Sequence, residues 1–482
     1  MNPRGVMLTR PVTRAAAVLA AAVMLASAGC GRARSSQPSR SVVHLAKIGE
    51  LTPAEIKYGI APTPNPNVTY QPDVILVGGG PEAIRAQSTN GIQWTIDASA
   101  PHASELRVGK VFFMTGRAVG RVLDVRPDGA NLIVTLGPAD ITEIIRDADL
   151  HFELPIDFSD AIAYKTPDVP GQFTPAGFRE GPAGGSVTNV GFMPAAAGGV
   201  PLHFKVVPLT GKTGLGLKAT AQGAGLTIAT QAVVHASTPH IEAVFKDKDG
   251  KILEASLELK GAAGLTLSFE AGTDVGMSAN IRERLQPDTD LSIPVFGLGV
   301  PFAVTMRQQF LVTTAFGVRD TTLSAVGDFT FTGGFKAGYI NGKWDIAGPS
   351  QFAVKKNLVE NVSGVSLAPA GLTMSHQLKV IVGVGAAGFV AGPFFGFNST
   401  IGITRTSDAG MVKCNQATLI VGLIGGVGYV IPRPVTNAIN AVLRALNIKY
   451  QILGEGGFSS DPMTIVNKTT HAPASRACGG AE

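Results

Sequence analysis

The sequence is poor in charged residues, aromatic residues and cysteine. Charged residues make up 16% of its 482 positions, against about 25% in an ordinary soluble protein. Aromatic residues make up 6%, and there are three cysteines. Hydrophobic residues reach 45%, and burial of that much apolar surface can offset chain entropy, which excludes disorder as the main state. The 59 glycines and 31 prolines would interrupt long helices, so a long coiled coil is also excluded.

The N-terminus has the pattern of a secretory signal peptide over residues 1–30. Arg4, Arg10 and Arg14 precede an uncharged stretch at residues 15–29, which ends in small residues at Cys30. A positive head followed by a short apolar run is typical of such signals. Fifteen residues are fewer than the roughly 20 that a membrane-spanning helix needs. We therefore expect export.

The end of this segment resembles a bacterial lipobox, in which the cysteine is lipidated and becomes the new N-terminus. The matching residues are Ser27-Ala28-Gly29-Cys30, although leucine is usual where Ser27 stands. We expect a lipid on Cys30 that anchors the protein to a membrane. Plain secretion after cleavage behind Ala28 and an uncleaved anchor are the alternatives.

Export changes the charge balance of the mature chain. The whole sequence has 40 basic and 35 acidic residues, and removal of three arginines leaves 37 against 35, a net charge of +2. There is no stripe of lysine and arginine that would neutralise a phosphate backbone. Nucleic acid is therefore excluded as a partner.

The remaining two cysteines fit an oxidising compartment. If Cys30 carries a lipid, Cys414 and Cys478 are left as a pair. Such a pair predicts a disulfide in an exported protein, which would fix the C-terminal tail to the body. Two unrelated thiols are the alternative, because spacing alone does not establish contact.

Most of the chain has the alternating pattern of β-strands. Leu253, Ala255, Leu257 and Leu259 alternate with polar residues, as in a strand with one buried face. Turn residues separate such segments at Arg126-Pro127-Asp128-Gly129, Lys248-Asp249-Gly250 and Asn341-Gly342, and they predict hairpins. We expect an all-β fold of antiparallel sandwich or barrel-like sheets, with a few short helices and one amphipathic helix near the C-terminus.

Changes in composition suggest several segments after the signal peptide. They are a linker with a short helix at 31–70, a small β domain at 71–165, a Gly/Pro-rich loop at 166–200, an antiparallel β domain at 201–348, and a Gly-rich β region with a C-terminal helix and tail at 349–482. Capping patterns at Thr52–Glu55 and Asp140–Glu143 predict two helix starts. Val435, Ile439, Val442, Leu443 and Leu446 predict the C-terminal helix.

The uncharged run at 380–397 has two interpretations. Gly388, Gly392 and Gly396 have the spacing with which membrane helices pack closely. Pro393 and the many glycines favour buried strands whose backbones approach closely.

Several short motifs resemble known ligand-binding motifs. Residues 74–83 followed by Asp97 match a dinucleotide fingerprint, but no crossover helix follows, so we expect a glycine turn. Residues 211–213 resemble the end of a phosphate-binding loop, but the first glycine of that motif is absent. Residues 246–250 match the pattern of a calcium-binding loop only poorly. Asp149, His151, Glu153 and Asp157 could hold calcium, although such a row is more often a solvated strand face. We expect no metal and no cofactor.

The sequence does not identify a catalytic residue or a ligand. It contains no zinc spacing and no nucleophile elbow, so it favours a protein that is not an enzyme. We expect an exported, lipid-anchored envelope protein with a non-catalytic binding or structural role. One alternative is a membrane-inserting or pore-forming β-barrel. Two tryptophans and six tyrosines would give such a barrel only sparse aromatic belts at the membrane interfaces. The other alternative is a secreted hydrolase without a recognisable motif.

Overall fold

The computed structural model describes residues 43–88, 91–165, 203–223, 225–285, 289–385, 390–410, 412–430, 440, 455–473 and 478. The predicted signal peptide with Cys30, the loop at 166–200 and the residues that predict the C-terminal helix lie outside these ranges.

The first part of the described chain alternates short strands with single helical turns. Its elements are β1 (His44–Leu45), α1 (Pro53–Tyr58), β2 (Val68–Tyr70), β3 (Val74–Leu76), β4 (Ile84–Gln87), β5 (Gln93–Asp97), β6 (Val111–Phe113), β7 (Val119–Asp128), β8 (Asn131–Gly137), α2 (Ile141–Ile144), β9 (Ile145–Pro155) and β10 (Ile162–Lys165). The predicted capping boxes are confirmed: Thr52 and Glu55 exchange hydrogen bonds of 2.8 and 3.1 Å, and Asp140 and Glu143 cap α2 in the same way.

Longer strands follow. They are β11 (His203–Gly211), β12 (Gly214–Gly223), β13 (Leu226–Lys248), β14 (Lys251–Thr273), β15 (Arg282–Leu285), β16 (Thr289–Phe296), β17 (Ala303–Phe316), β18 (Thr321–Thr332), β19 (Phe335–Ile340), β20 (Lys343–Ala347), β21 (Gln351–Lys356), β22 (Ala370–Gly383), β23 (Val390–Arg405), β24 (Asn415–Val430), β25 (Glu455–Ser459) and β26 (Met463–Ala472). Single 3-10 turns lie at Ile48–Glu50, Gly80–Ala83, Ala103–Glu105, Phe158–Asp160, Gly276–Ala279 and Val359–Asn361. No helix in the described part of the chain is long and apolar enough to span a membrane.

The strands form three sheets. Sheet 1 has the order β11-β12-β13-β14-β18-β21. In the same sheet β9 pairs with β13 and β2 with β9, while β19 pairs with β14 and β20 with β19. Sheet 2 has the order β1-β16-β17-β22-β23-β24-β25, with β10, β15 and β26 as further partners. Sheet 3 has the order β3-β6-β7-β8-β5-β4, and its β3–β6 pair is parallel. The result is a largely antiparallel sandwich of several sheets, which confirms the all-β prediction.

Two of the predicted hairpins have the expected turns. Asp249-Gly250 joins β13 to β14, and Asn341-Gly342 joins β19 to β20. Both residues of each pair have positive φ, with 48° and 85° at Asn341 and Gly342, as a two-residue turn of type I′ requires.

The third hairpin turns later than predicted. Pro127 pairs with Leu132 inside the ladder, and Asp128 pairs with Asn131, so the turn is Gly129-Ala130. The register between β7 and β8 extends the strand past the proline, because pairing with a neighbouring strand outweighs a local turn preference.

The core lies between sheets 1 and 2. Leu257, Leu265 and Leu267 of sheet 1 are fully buried, and the rings of Phe335 and Phe397 meet across the interface with centroids 4.9 Å apart. Each buried side chain of this size contributes about 1.5–3 kcal/mol through removal of apolar surface from water. The alternation along β13 and β14, which is interrupted where their register shifts, therefore reflects one face on the core and one toward solvent.

Sheet 2 differs because its central strands are buried on both faces. Along β22 and β23 nearly every residue is buried, which gives continuous apolar runs. In the described part of residues 380–397 the two strands pair directly. A Cβ on Gly392 would clash with the carbonyl oxygen of Val382. The interpretation as buried strands with close backbone approach is confirmed there, and Gly388 lies outside the described residues.

The side chain of Gln308 forms hydrogen bonds across the apolar core between sheets 1 and 2. The amide nitrogen Nε2 of Gln308 on β17 donates to the carbonyl oxygen of Gly216 on β12, at 2.9 Å. Its Oε1 lies 3.1 Å from Nε2 of His376 on β22. His376 is fully buried beside the Phe310 ring, and burial lowers its pKa to about 3. The Gln308 side chain therefore links the two large sheets and also contacts a neutral histidine of its own sheet.

Acid should destabilise the fold through His376. Its unfolded pKa near 6.5 exceeds its folded pKa of about 3, so the unfolded chain takes up a proton that the native state rejects. The free energy of unfolding should fall as the pH drops from about 6.5 to 3, with a slope of up to about 1.4 kcal/mol per pH unit. Urea unfolding across this range measures the slope, which His376→Gln should reduce. Exposed His235 is the control, and an equal reduction in His235→Gln would contradict the prediction.

Candidate functional site

A small pocket lies on the face of sheet 2 that points away from sheet 1, which we call the far face. Ile293, Val304, Met306 and Val380 belong to the main core. The residues that alternate with them point the other way and line the far face, namely Ser292, Thr305, Arg307, Lys379 and Ile381. Because the strand period is two, the polar members of this set share one side of the sheet.

Strand register brings four polar residues into one row across the far face. Tyr164 of β10 pairs with Asp290 of β16. Asp290 contacts Arg307 of β17, and Arg307 pairs with Lys379 of β22. A row across a sheet joins residues that are distant in sequence, because neighbouring strands come from different parts of the chain.

The Asp290–Arg307 ion pair forms the polar floor of the pocket. Arg307 Nε lies 2.6 Å from Asp290 Oδ2, and the two side chains are 7% and 14% exposed. Burial raises the pKa of the Asp290 carboxyl, while the positive charges of Arg307 and Arg117 counteract that shift. Water screens such a pair far less than it screens a pair on the surface.

Arg117 approaches the same floor from sheet 3. It lies in the turn between β6 and β7, which is fixed by hydrogen bonds from Gly116 N to the Ile60 carbonyl at 2.9 Å and from Gly385 N to the Gly116 carbonyl at 2.8 Å. Its guanidinium carbon lies 3.4 Å from the centre of the Tyr164 ring, a cation–π contact. Burial lowers the pKa of Arg117, although an arginine stays protonated in proteins.

The Arg117 side chain has unused hydrogen-bonding capacity. Its Nε is buried and has no hydrogen-bond partner among the described residues. The pocket beside it has a volume of about 30 Å³, which is room for one or two water-sized groups. The hydroxyl oxygens of Ser292 and Thr305 lie 3.2 Å apart in its wall, and Phe302 and Val390 supply apolar surface.

The chemistry of this pocket suits binding of an anion. The guanidinium groups of Arg117 and Arg307 both lie near the carboxylate of Asp290. None of the described lining residues is a histidine, cysteine or lysine. The pocket therefore offers hydrogen-bond donors and positive charge.

The dinucleotide-like segment forms a glycine turn, as the sequence predicts. Gly79 adopts φ of 82° at the start of the 3-10 turn that separates β3 from β4. The Asp97 carboxylate interacts with neighbouring residues. Arg85 Nη2 lies 2.6 Å from it, and Ser99 donates hydrogen bonds to it from its backbone amide and its hydroxyl. These bonds, those of Ser99 first, lower the pKa of Asp97 to about 2.

The acidic row on β9 lies on a solvated face. Asp149, His151 and Glu153 are exposed. His151 pairs with Glu242 at 3.1 Å, and Lys260 bridges Glu153 and Glu242 at 2.9 and 2.6 Å. In the ranges that the structure describes, no group of three or more histidines, cysteines and acids is placed to hold a metal ion.

Asp157 has a separate role at the end of this segment. Its side chain accepts a hydrogen bond from the Ser159 backbone at 2.9 Å and so caps a 3-10 turn.

The structure joins Cys414 and Cys478 by a disulfide. Their Cα atoms lie 5.3 Å apart, within the usual range for such a bond. The bond closes a loop with a sequence separation of 64 residues and connects the start of β24 to the C-terminal tail. Cys30 lies outside the described residues.

Sequence reasoning did not identify Arg117, Asp290 or Arg307. One signal was available. Arg307, Gln308 and Gln309 are three consecutive long polar residues in the largely apolar strand β17, and consecutive polar residues in a buried strand need internal partners. The identity of those partners depends on strand order.

Two family models match the chain. One, described as Domain of unknown function (DUF8402), matches residues 194–457. The other, described as Domain of unknown function (DUF8403), matches residues 54–147. No curated protein and no solved structure matches the chain.

Substitution of either Asp290 or Arg307 should destabilise the protein, because it breaks their ion pair. Asp290→Asn should lower the free energy of unfolding by about 3 kcal/mol, because it breaks a buried ion pair with Arg307. Arg307→Gln should have a similar effect, and the double variant should lose less than the sum. Urea unfolding measures all three.

The exposed pair of Arg85 and Asp97 provides the control. Arg85 is 51% exposed, so Arg85→Gln should cost less than about 1 kcal/mol. Equal effects in the exposed and buried pairs, or strict additivity in the double variant, would contradict the coupling.

Proposed function

The chain belongs to the family described as Domain of unknown function (DUF8402), and we propose that it is an exported, lipid-anchored protein of the bacterial envelope that binds a small ligand. The observation that carries the binding role is the far-face pocket. Arg117, Asp290 and Arg307 converge there from separate segments of the chain.

The cysteines support the envelope location. Disulfides persist in exported proteins and are rare in the reducing cytosol. The bond between Cys414 and Cys478 leaves Cys30 as the third cysteine of the chain, placed after a signal-like segment. Cys30 then carries the lipid anchor, and Cys414 and Cys478 form the disulfide.

The polar surface of sheet 1 fits a body that stands in water beside the membrane. Its outer face carries the ion pairs of Lys260 with Glu153 and Glu242 and of Lys336 with Asp345. Charged rows of this kind are costly in lipid. The lipid on Cys30 therefore supplies the membrane contact, and the folded body presents the pocket.

A Cys30→Ser variant tests the anchor. The native protein should fractionate with membranes and carry the mass of a diacyl or triacyl group, which the variant lacks. The variant should appear in the soluble fraction after carbonate washing. Ser27→Leu is the matched control, because it restores the usual lipobox residue and should keep both the lipid mass and the membrane association.

Two results would contradict the proposal. One is an unmodified Cys30 in the purified native protein. The other is a Cys30→Ser variant that stays in the membrane after carbonate washing, since the body itself would then be embedded.

A further inference from the structure

We propose that a cleft between the open edges of sheets 1 and 2 is a second binding site, which takes the hydrocarbon tail of a fatty acid. We call it the edge cleft. Among the described residues, it shares no lining residue with the far-face pocket. The lining residues on which the inference depends are Phe329, Phe352, Val354, Leu358, Leu419 and Lys468.

The edge cleft lies where the two large sheets end. Among the described strands, β21 pairs with β18 alone at the edge of sheet 1, and β26 pairs with β24 alone in sheet 2. Leu358 connects β21 to the 3-10 turn Val359–Asn361 and is 3% exposed in the wall of the cleft. The 3-10 turn lies against β18, β24 and β26, so it spans the two sheets beside the cleft.

The wall on sheet 1 is apolar and partly open to solvent. Val354 pairs with the buried Phe329, and residues directly opposite in an antiparallel pair share one face of the sheet. Val354 therefore points toward the core, yet it is 37% exposed. Phe352 stacks on Phe329 with ring centroids 5.5 Å apart. The cleft has a volume of about 70 Å³, which is room for several methylene-sized groups.

The wall on sheet 2 brings a positive charge to this apolar surface. Lys468 of β26 pairs with Leu419 of β24, which is 6% exposed in the main core, so Lys468 lies on the core face of the sheet. Lys468 is exposed and forms no ion pair with another described residue. An ammonium group on a flexible apolar stem can reach the mouth of such a cleft and meet an anionic head group there.

The surrounding charges favour an anion over a cation. The four strands and the 3-10 turn that bound the edge cleft carry three lysines, two acids and one histidine. The two acids already have partners: Lys355 lies 3.7 Å from Asp328, and Asn357 donates to Glu360 at 3.2 Å. An apolar cleft with a lysine at its side matches a ligand that has an apolar tail and a negative head. The charged and titratable residues are Lys355, Lys356, Lys468, Asp328, Glu360 and His471.

Calorimetric titration of the purified mature chain carrying Cys30→Ser tests the ligand class in detergent-free buffer. Octanoate, octyltrimethylammonium and 1-octanol share one tail and carry negative, positive and no charge, and acetate has the carboxylate without the tail. Octanoate should bind, and hexanoate should bind up to about tenfold more weakly because it buries two fewer methylene groups. Octyltrimethylammonium should bind about tenfold more weakly than octanoate, because Lys468 repels it.

One pair of variants assigns the head group to Lys468. Lys468→Gln should weaken octanoate binding by up to about fivefold, which is the range of an exposed ion pair, and should leave 1-octanol binding unchanged. Lys251→Gln is the control, because Lys251 is an exposed lysine at the start of β14 and does not line the cleft. It should leave the binding of both compounds unchanged.

A second pair of variants assigns the tail to the cleft. Val354→Trp should fill the space between the sheets and weaken both octanoate and 1-octanol by tenfold or more. Val326→Trp is the matched control, since Val326 is 39% exposed on β18 and alternates with the core-facing residues of that strand. Both positions are partly exposed, so both variants should fold, which circular dichroism checks.

Four results would overturn the inference. They are absence of octanoate binding, octyltrimethylammonium or acetate binding as tightly as octanoate, and octanoate binding that is unchanged in Lys468→Gln or in Val354→Trp. If octanoate does not bind and the chain forms a dimer that Val354→Trp abolishes, the cleft belongs to a second copy. These results concern the edge cleft and leave the far-face pocket and the lipid on Cys30 untouched.

Discussion

The contact between the two ten-stranded sheets is the constraint on which the rest of this structure depends. Sheet 1 buries one face and exposes the other, so its strands alternate. The central strands of sheet 2 are buried on both faces. Polar side chains on those strands gain stability from partners inside the protein, because an unpaired buried polar group is costly. Gln308 meets this requirement through Gly216 of the opposite sheet.

The same constraint gives the pocket its chemical character. Asp290 and Arg307 lie on the far face, where burial strengthens their attraction and limits screening by water. Arg117 enters from sheet 3 and stacks on Tyr164, so it adds another positive charge beside the buried pair of Asp290 and Arg307.

Local sequence signals predicted those features that depend on neighbouring residues. Thr52 with Glu55 and Asn341 with Gly342 were sufficient to place a helix start and a hairpin turn. The turn after Pro127 was misplaced, because the β7–β8 register carries the strand to Asp128. Arg307, Gln308 and Gln309 showed only that a buried strand carries polar groups. Their partners on β16, β12 and β22 follow from strand order, which no local pattern specifies.

The sequence by itself determined the alternation of the strands, two of the hairpin turns and the helix caps, and it indicated Cys414 and Cys478 as a candidate pair. These depend on residue spacing, which a linear chain displays directly. The tertiary structure decided that Arg117, Asp290 and Arg307 share one pocket and that sheet 2 is buried on both faces. Those properties depend on which distant strands become neighbours, and burial then determines whether a charge is solvated, paired or ready to bind.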